Sequence, residues 1–197
     1  TCEEFGICVS NLGSGMGYTV DGLSFTDPDP SIRDRAVVRI IDHIVAARKF
    51  DAKLILGSMR GKIPVKNDYD KYEDYAMDCL KRVMEEAEKN QIDITLEAIN
   101  RYETNYINTV EQGLWLIEKI GSRHLKLHLD TFHMNIEEVD IAESIKMAGN
   151  ALGHMHFADS NRWYPGAGHL DYEVIMKALK DINYSCAIAF ECLPLPT

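Results

Sequence analysis

Glu97, Asp130, His156 and Glu191 are side chains of the kind that hold metal ions or move protons, and each stands at or beside the end of a short apolar run. Three carboxylates and an imidazole gathered in one cavity would repel one another and be poorly solvated without a compensating cation. A divalent ion is the economical partner. Three oxygen donors with one nitrogen suit Mn²⁺, Mg²⁺ or Co²⁺ better than a structural zinc, which prefers sulfur and nitrogen in a closed tetrahedron. Any one of these residues alone would read as a strand-end carboxylate capping the next helix; four in register on successive strands read as a site.

The elements that must position them follow an α/β alternation. Six strands are expected, over Phe5–Val9, Lys53–Gly57, Ile92–Glu97, His124–Asp130, Gly153–Ala158 and Cys186–Glu191, starting every 29 to 39 residues from the second onward. Between them, Ser31–Phe50, Asp68–Asn90, Tyr106–Ile120, Ile136–Asn150 and Tyr172–Ile182 carry apolar residues at helical spacing. Asp29 before Pro30 reads as an N-cap with proline in the first turn, and Asn90 and Gly121 as C-terminal stops. No shorter repeat, low-complexity segment or linker interrupts the series.

Side chains alternate faces along a strand, so parity assigns them to sides. Asp93, Thr95 and Glu97 oppose Ile92, Ile94 and Leu96, while Lys126, His128 and Asp130 oppose Leu125, Leu127 and Leu129. His154 and His156 share a face, as do Ala187, Ala189 and Glu191. One side is apolar and the other small or ionisable, as in strands packed on helices outside and facing a polar barrel interior. The C-terminal strand ends, where α/β barrels place their chemistry, would bring the four ligand-type residues together. A full barrel needs eight βα units and about 250 residues, so six strands in 197 residues fall two units short.

Composition narrows the function. With 21 Lys and Arg against 31 Asp and Glu, the net charge of −10 disfavours phosphate backbones and anionic lipid. No apolar run approaches the ~20 residues needed to cross a bilayer, and no signal-peptide pattern opens the chain. Five cysteines without a CxxC pair suggest a reducing compartment rather than a disulfide framework. A soluble, cytoplasmic protein is expected. Near the strand ends, Glu103, His133 and Arg162 follow closely in βα loops, and Asn161–His169 mixes aromatics, proline and glycine, suiting either a shaped loop over a polar ligand or a surface turn. His43 and the methionines at helical spacing read as packing or surface residues.

On these residues the chain resembles the xylose-isomerase-like barrel superfamily, most closely its sugar isomerase and ketose 3-epimerase branch. Leu96-Glu97-Ala98-Ile99-Asn100-Arg101-Tyr102-Glu103-Thr104-Asn105 and Leu129-Asp130-Thr131-Phe132-His133-Met134-Asn135-Ile136-Glu137-Glu138 are similar to signature stretches of tagatose and psicose (allulose) 3-epimerases. The resemblance implies a TIM (β/α)8-type barrel in which the first two βα units are missing, with residues 1–197 forming a single, N-terminally truncated domain. It implies one divalent ion, Mn²⁺ or Co²⁺ ahead of Mg²⁺ or Zn²⁺, held by Glu97, Asp130, His156 and Glu191. Glu97 and Glu191 would be the proton-transfer residues, and Glu103, His133 and Arg162 would bind a small-molecule sugar.

The expected activity is therefore epimerisation at C3 of a ketose through a cis-enediolate, by an enzyme that is a homodimer or homotetramer and binds neither nucleic acid nor membrane. Aldose-ketose or hydroxypyruvate-type isomerisation is the nearest alternative on the same site. A noncatalytic sugar-binding protein is a rival from another class. A relative of the endonuclease IV group is disfavoured, because that chemistry uses more histidine ligands. The Ala158-Asp159-Ser160 segment departs from the Gly-Glu-x pattern of the ketose epimerases, leaving the sugar's identity open.

Overall fold

The structure, a computed structural model, describes residues 2–65 and 68–193. They fall into two compact units. One runs to Leu96 and takes back Ile117–Leu125; the other holds Glu97–Leu116 and resumes at Lys126.

In the first unit, strands β1 (Asn11–Gly13), β2 (Lys53–Leu56) and β3 (Ile94–Glu97) pair in parallel, with Asn11 opposite Lys53 and Leu54 opposite Ile94. A short helix α1 (Met16–Thr19) follows β1. Helix α2 (Pro30–Phe50) begins where the Asp29 carboxylate accepts the Ser31 N–H at 2.8 Å, with Pro30 in the first turn, where no N–H is needed. It buries Ala36, Val37, Ile40, Ile44 and Ala47, a stripe at helical spacing. Helix α3 (Tyr69–Asn90) likewise buries Tyr72, Ala76, Cys79, Val83 and Ala87, then stops as Gln91 turns left-handed at φ 56°. Arg33 stacks its guanidinium 3.9 Å from the Tyr75 ring centre, and Arg82 pairs with Asp34 at 2.8 Å, tying the exposed sides of the two helices. At the start of β3, Asp93 holds His124 Nδ1 at 2.9 Å and Lys53 Nζ at 3.9 Å.

The expected strand over Phe5–Val9 is not formed. Glu3–Phe5 is a 3-10 turn, Gly6 takes a positive φ of 63°, and Phe5 and Ile7 are 78% and 59% exposed. Alternating apolar residues fix a strand only where a core receives one face. The strand starts instead at Asn11, after the Ser10 carbonyl accepts the Lys53 N–H.

In the second unit, β4 (Leu125–Asp130), β5 (Leu152–Phe157) and β6 (Ile188–Phe190) are again parallel. The junction of β3 and β4 is bridged inside each unit, by Ile94 N–H to the His124 carbonyl in the first and Ala98 N–H to the His128 carbonyl in the second. Strand order therefore follows chain order, and the six strands alternate with helices along the chain, the βα alternation of the α/β class. Helix α4 (Val110–Ile120) comes so close to β4 that a Cβ on Gly113 would collide with Leu127 Cδ2. Glycine there lets the backbone approach.

The expected helix Ile136–Asn150 is two helices, α5 (Thr131–Glu137) and α6 (Ile141–Ala148). Asp130 starts α5 at once by accepting the Phe132 N–H at 2.8 Å. Glu138 then turns extended because its carboxylate is used elsewhere, accepting Val110 N–H at 2.8 Å and Ser144 Oγ at 2.7 Å, and Asp140 caps α6. Helix α7 (Tyr172–Asp181) is capped by Asp171, which accepts from Glu173 and Val174 N–H. Among the described residues no helix is long and apolar enough to cross a membrane.

Candidate metal and sugar site

Every residue singled out as a site candidate lies in the second unit, at or just beyond the C-terminal ends of β3 to β6. The strands deliver four of them into one place. Glu97 closes β3, Asp130 closes β4, His156 is the penultimate residue of β5, and Glu191 follows β6 with its N–H donated to the Phe157 carbonyl at 3.2 Å. One ligand atom from each of Glu97, Asp130, His156 and Glu191 lies within 4.8 Å of all the others.

A bulge sets this alignment. Leu127 pairs with Leu152 but His128 pairs with His154, so β5 carries one extra residue, Gly153, and Asp130 comes to face His156. Without that residue the ionisable positions of the two strands would fall out of register.

Asp130 does two jobs with two oxygens. Oδ1 caps α5, while Oδ2 is fully buried and receives no hydrogen bond from an N–H or hydroxyl donor, its one polar neighbour in reach being the Glu191 carboxyl, with which it could share a proton. Burial, reinforced by the Glu97 charge, pushes the Asp130 carboxyl well above its usual range. At Glu191 burial also pushes upward, but the His156 ring at 3.6 Å and the Arg162 guanidinium at 3.1 Å outweigh it and hold the carboxyl down to about 2. An oxygen without such a donor, aimed among two further carboxylates and an imidazole, fits a divalent cation, whose charge would satisfy Oδ2 and relieve the repulsion. The donor set is oxygen-rich, as hard or borderline ions require.

His133, from α5, places Nε2 3.8 Å from Glu97 Oε1 and Nδ1 3.9 Å from Glu103 Oε1. Its tautomer is readable from a neighbour that sequence reasoning passed over. Asn100, buried in the β3–α4 loop, accepts the Tyr102 N–H on Oδ1, so its amide NH₂ faces His133 Nδ1 at 2.7 Å and Glu103 Oε1 at 3.0 Å. An NH₂ group only donates, so Nδ1 accepts and the proton sits on Nε2, toward Glu97. The loop is further pinned by a forked Arg101–Glu137 pair, with Nε–Oε1 2.9 Å and Nη2–Oε2 2.8 Å.

Arg162 reaches Glu103 Oε1 at 3.3 Å and Glu191 Oε2 at 3.1 Å, with its guanidinium carbon 4.7 Å from the Phe132 ring centre. Its backbone is left-handed, φ 63°, which a non-glycine residue adopts only under constraint. The constraint is Asp159, the second residue the sequence did not single out. Its carboxylate accepts N–H bonds from Ser160 at 2.7 Å, Gly166 at 2.8 Å and Leu170 at 3.2 Å, and its backbone bonds Trp163 and Arg162. A Cβ on Gly168 would collide with Asp159 Oδ1, so glycine is what fits against this hub. The Asn161–His169 segment is thus a shaped loop built on Asp159. Burial would raise the Asp159 pKa, yet the amides of Ser160, Leu170, Gly168 and Gly166 hold it below the ordinary value.

A depressed pKa stabilises the folded loop fully above the unfolded value of about 3.9, and that stabilisation is lost as pH falls through the lower folded value. Asp159→Ala is expected to cost about 2–4 kcal/mol, from several charge-assisted bonds left without an acceptor, and to release Arg162. Thermal unfolding at pH 7 measures the loss, which should shrink toward pH 3. Equal stability of the two proteins at pH 7 would refute the hub.

His128 and His154 share the inward face of β4 and β5 below the four residues. Burial first, and then the His156, His154 and His133 rings, hold the His128 pKa well below the ordinary imidazole value, so it is neutral.

A family model described as xylose isomerase-like TIM barrel matches residues 1–196. The D-psicose 3-epimerase of Enterocloster bolteae is 36% identical over 185 residues, 91% of this chain and 61% of that protein. The L-ribulose 3-epimerase of Mesorhizobium japonicum is 34% identical over 194 residues, 93% of this chain and 63% of that protein. A crystal structure of D-allulose 3-epimerase from Methylomonas sp. in complex with D-allulose superposes with a TM-score of 0.83 at 30% identity, covering 98% of this chain and 67% of that one. The chain spans about three fifths of the length of the curated relatives it matches.

Proposed function

The chain belongs to the xylose isomerase-like TIM barrel family, and on that footing we propose that it carries the active site of a divalent-metal-dependent ketose 3-epimerase. The observation that carries this reading is the convergence of Glu97, Asp130, His156 and Glu191 within 4.8 Å around a fully buried Asp130 oxygen that no N–H or hydroxyl donor serves. The names of the relatives support the substrate class, a free ketose, and no Gly-rich phosphate cradle stands beside these residues in the sequence.

The four residues would hold Mn²⁺ or Co²⁺, whose preference for mixed oxygen and nitrogen donors they match. Bound there, the ion supplies Lewis-acid polarisation of a carbonyl and a template for adjacent sugar oxygens. Glu97 ends β3 and Glu191 follows β6, and on this reading the two carboxylates would stand on opposite faces of the substrate. One carboxylate takes the proton from the carbon beside the ketone, giving a cis-enediolate, and the other returns a proton to the opposite face. His133 donates its Nε2–H to a substrate oxygen, held in that tautomer by Asn100. Arg162 steadies the oxyanion with a fixed positive charge, and Glu103 accepts a hydrogen bond from a terminal hydroxyl.

The test is conversion. The protein that carries this chain, incubated with a panel of unphosphorylated ketoses and Mn²⁺, is expected to yield the C3 epimer of at least one, separated by chromatography. A panel left unconverted with Mn²⁺ and with Co²⁺ would overturn the proposal in favour of a noncatalytic sugar-binding protein.

A further inference from the structure

Two ligand-type side chains beside the site, His128 and His154, are not used by this mechanism. His128, His154 and His156 each bring a ring nitrogen within 4.8 Å of the other two, with ring centres 4.1 Å apart for His128–His156 and 4.9 Å for each of the other pairs. The three stand together because the Gly153 bulge sets His128 opposite His154. His128 has no solvent exposure, and neither of its ring nitrogens has a hydrogen-bond partner. Its Nδ1 lies 4.0 Å from Glu97 Oε2, beyond hydrogen-bonding reach.

Packed imidazole edges would account for the ring contacts, but they leave both polar atoms of His128 unserved, and a buried polar atom in that state is costly. An apolar side chain would fill the same space without that cost. A lone pair that finds no proton donor is, however, what a metal ion takes up. We propose that His128, His154 and His156 form a second, all-nitrogen seat for a divalent ion of borderline softness, for which Zn²⁺ is the best match.

Imidazole donors suit zinc, copper and nickel, whereas the neighbouring carboxylate set suits harder ions. Three histidines with a fourth, open position is a standard zinc arrangement. Zn–N bonds of about 2.0–2.1 Å in a tetrahedron place ring nitrogens roughly 3.4 Å apart, so side-chain rotations closing the group by about an ångström suffice. His156 is common to both sets, which adds a regulatory consequence that rests on the reading of the first site. An ion held by the three imidazoles draws His156 away from Glu97, Asp130 and Glu191, so Zn²⁺ inhibits where Mn²⁺ activates.

The test uses the whole protein stripped of metal, and Zn²⁺ and Co²⁺ as probes. Asp130→Asn removes a carboxylate ligand of the first site while keeping a competent helix cap and all three histidines. It is expected still to bind one Zn²⁺ by calorimetry and to give the intense visible absorption of four-coordinate Co²⁺. Adding His128→Gln should weaken Zn²⁺ binding by at least the ~10–100-fold that loss of a mere outer partner costs. His154→Gln in the same background gives an independent readout should the first double variant fail to fold. Asp130→Asn binding no Zn²⁺, or binding it unchanged after both histidine replacements, would return the three rings to a packing role. Mn²⁺ binding and ketose conversion by the unaltered protein are scored separately, so failure of the first site leaves the Zn²⁺ result interpretable.

Discussion

Glu97→Gln and Glu191→Gln are each expected to lower ketose epimerisation by more than about 10⁴-fold with the fold intact. A general base or acid alone contributes about 10²–10⁴, and each change also removes a negative ligand oxygen from the site, so the two losses compound. The swap keeps size and shape. Glu97 is 9% exposed, and its oxygens face His133 Nε2 at 3.8 Å and His128 Nδ1 at 4.0 Å. At Glu191 the carboxyl is held down to about 2 beside the His156 ring and the Arg162 guanidinium, so it is ionised, and an amide would no longer pair with the Arg162 cation. Rates measured with saturating Mn²⁺, alongside far-UV circular dichroism, test both. Activity within tenfold of the unaltered protein in either variant would show that the proton-transfer roles are misassigned.

Metal removal should have the second largest effect. Chelation is expected to abolish turnover, and Mn²⁺ or Co²⁺ to restore it. An ion that binds only the folded state stabilises it by about 2.7 kcal/mol at a free concentration 100 times its Kd. For a chain of this size that raises the melting temperature by roughly 5–11 °C. Asp130→Asn should erase the Mn²⁺ shift, because the buried Oδ2 is where the ion's charge is most needed. An unchanged melting temperature on adding either ion, with activity surviving in excess chelator, would defeat the metal reading.

The site was legible because strand parity is a strict constraint. In Ile94–Glu97 and Leu125–Asp130 the alternation of aliphatic and ionisable residues already put Thr95 and Glu97, and His128 and Asp130, on the inward side, and the structure buries all four. Other features were not legible for physical reasons. The alignment of β4 with β5 depends on a bulge at Gly153, and a bulge is a pairing property that one strand's sequence does not contain. Asn100 stands within the Leu96–Asn105 stretch, but its role needs Tyr102 and His133 brought together in space, the latter 33 residues away in the chain. Asp159 read as a departure from a family pattern, whereas its four amide partners emerge only once the loop is folded. The Ile136–Asn150 periodicity ran across Glu138 because helical spacing says nothing of a carboxylate recruited by Val110 and Ser144. Phe5–Val9 alternated without a core to face.

Deuterium placement tests the central claim most directly. The protein that carries this chain, incubated with Mn²⁺ and a ketose it converts in D₂O, removes and returns the proton at the carbon that reacts, and NMR locates the label. Deuterium at C3 of both the recovered ketose and its epimer is the expected result. Deuterium confined to C1, accompanied by an aldose, would contradict epimerisation and assign the site to aldose-ketose isomerisation instead.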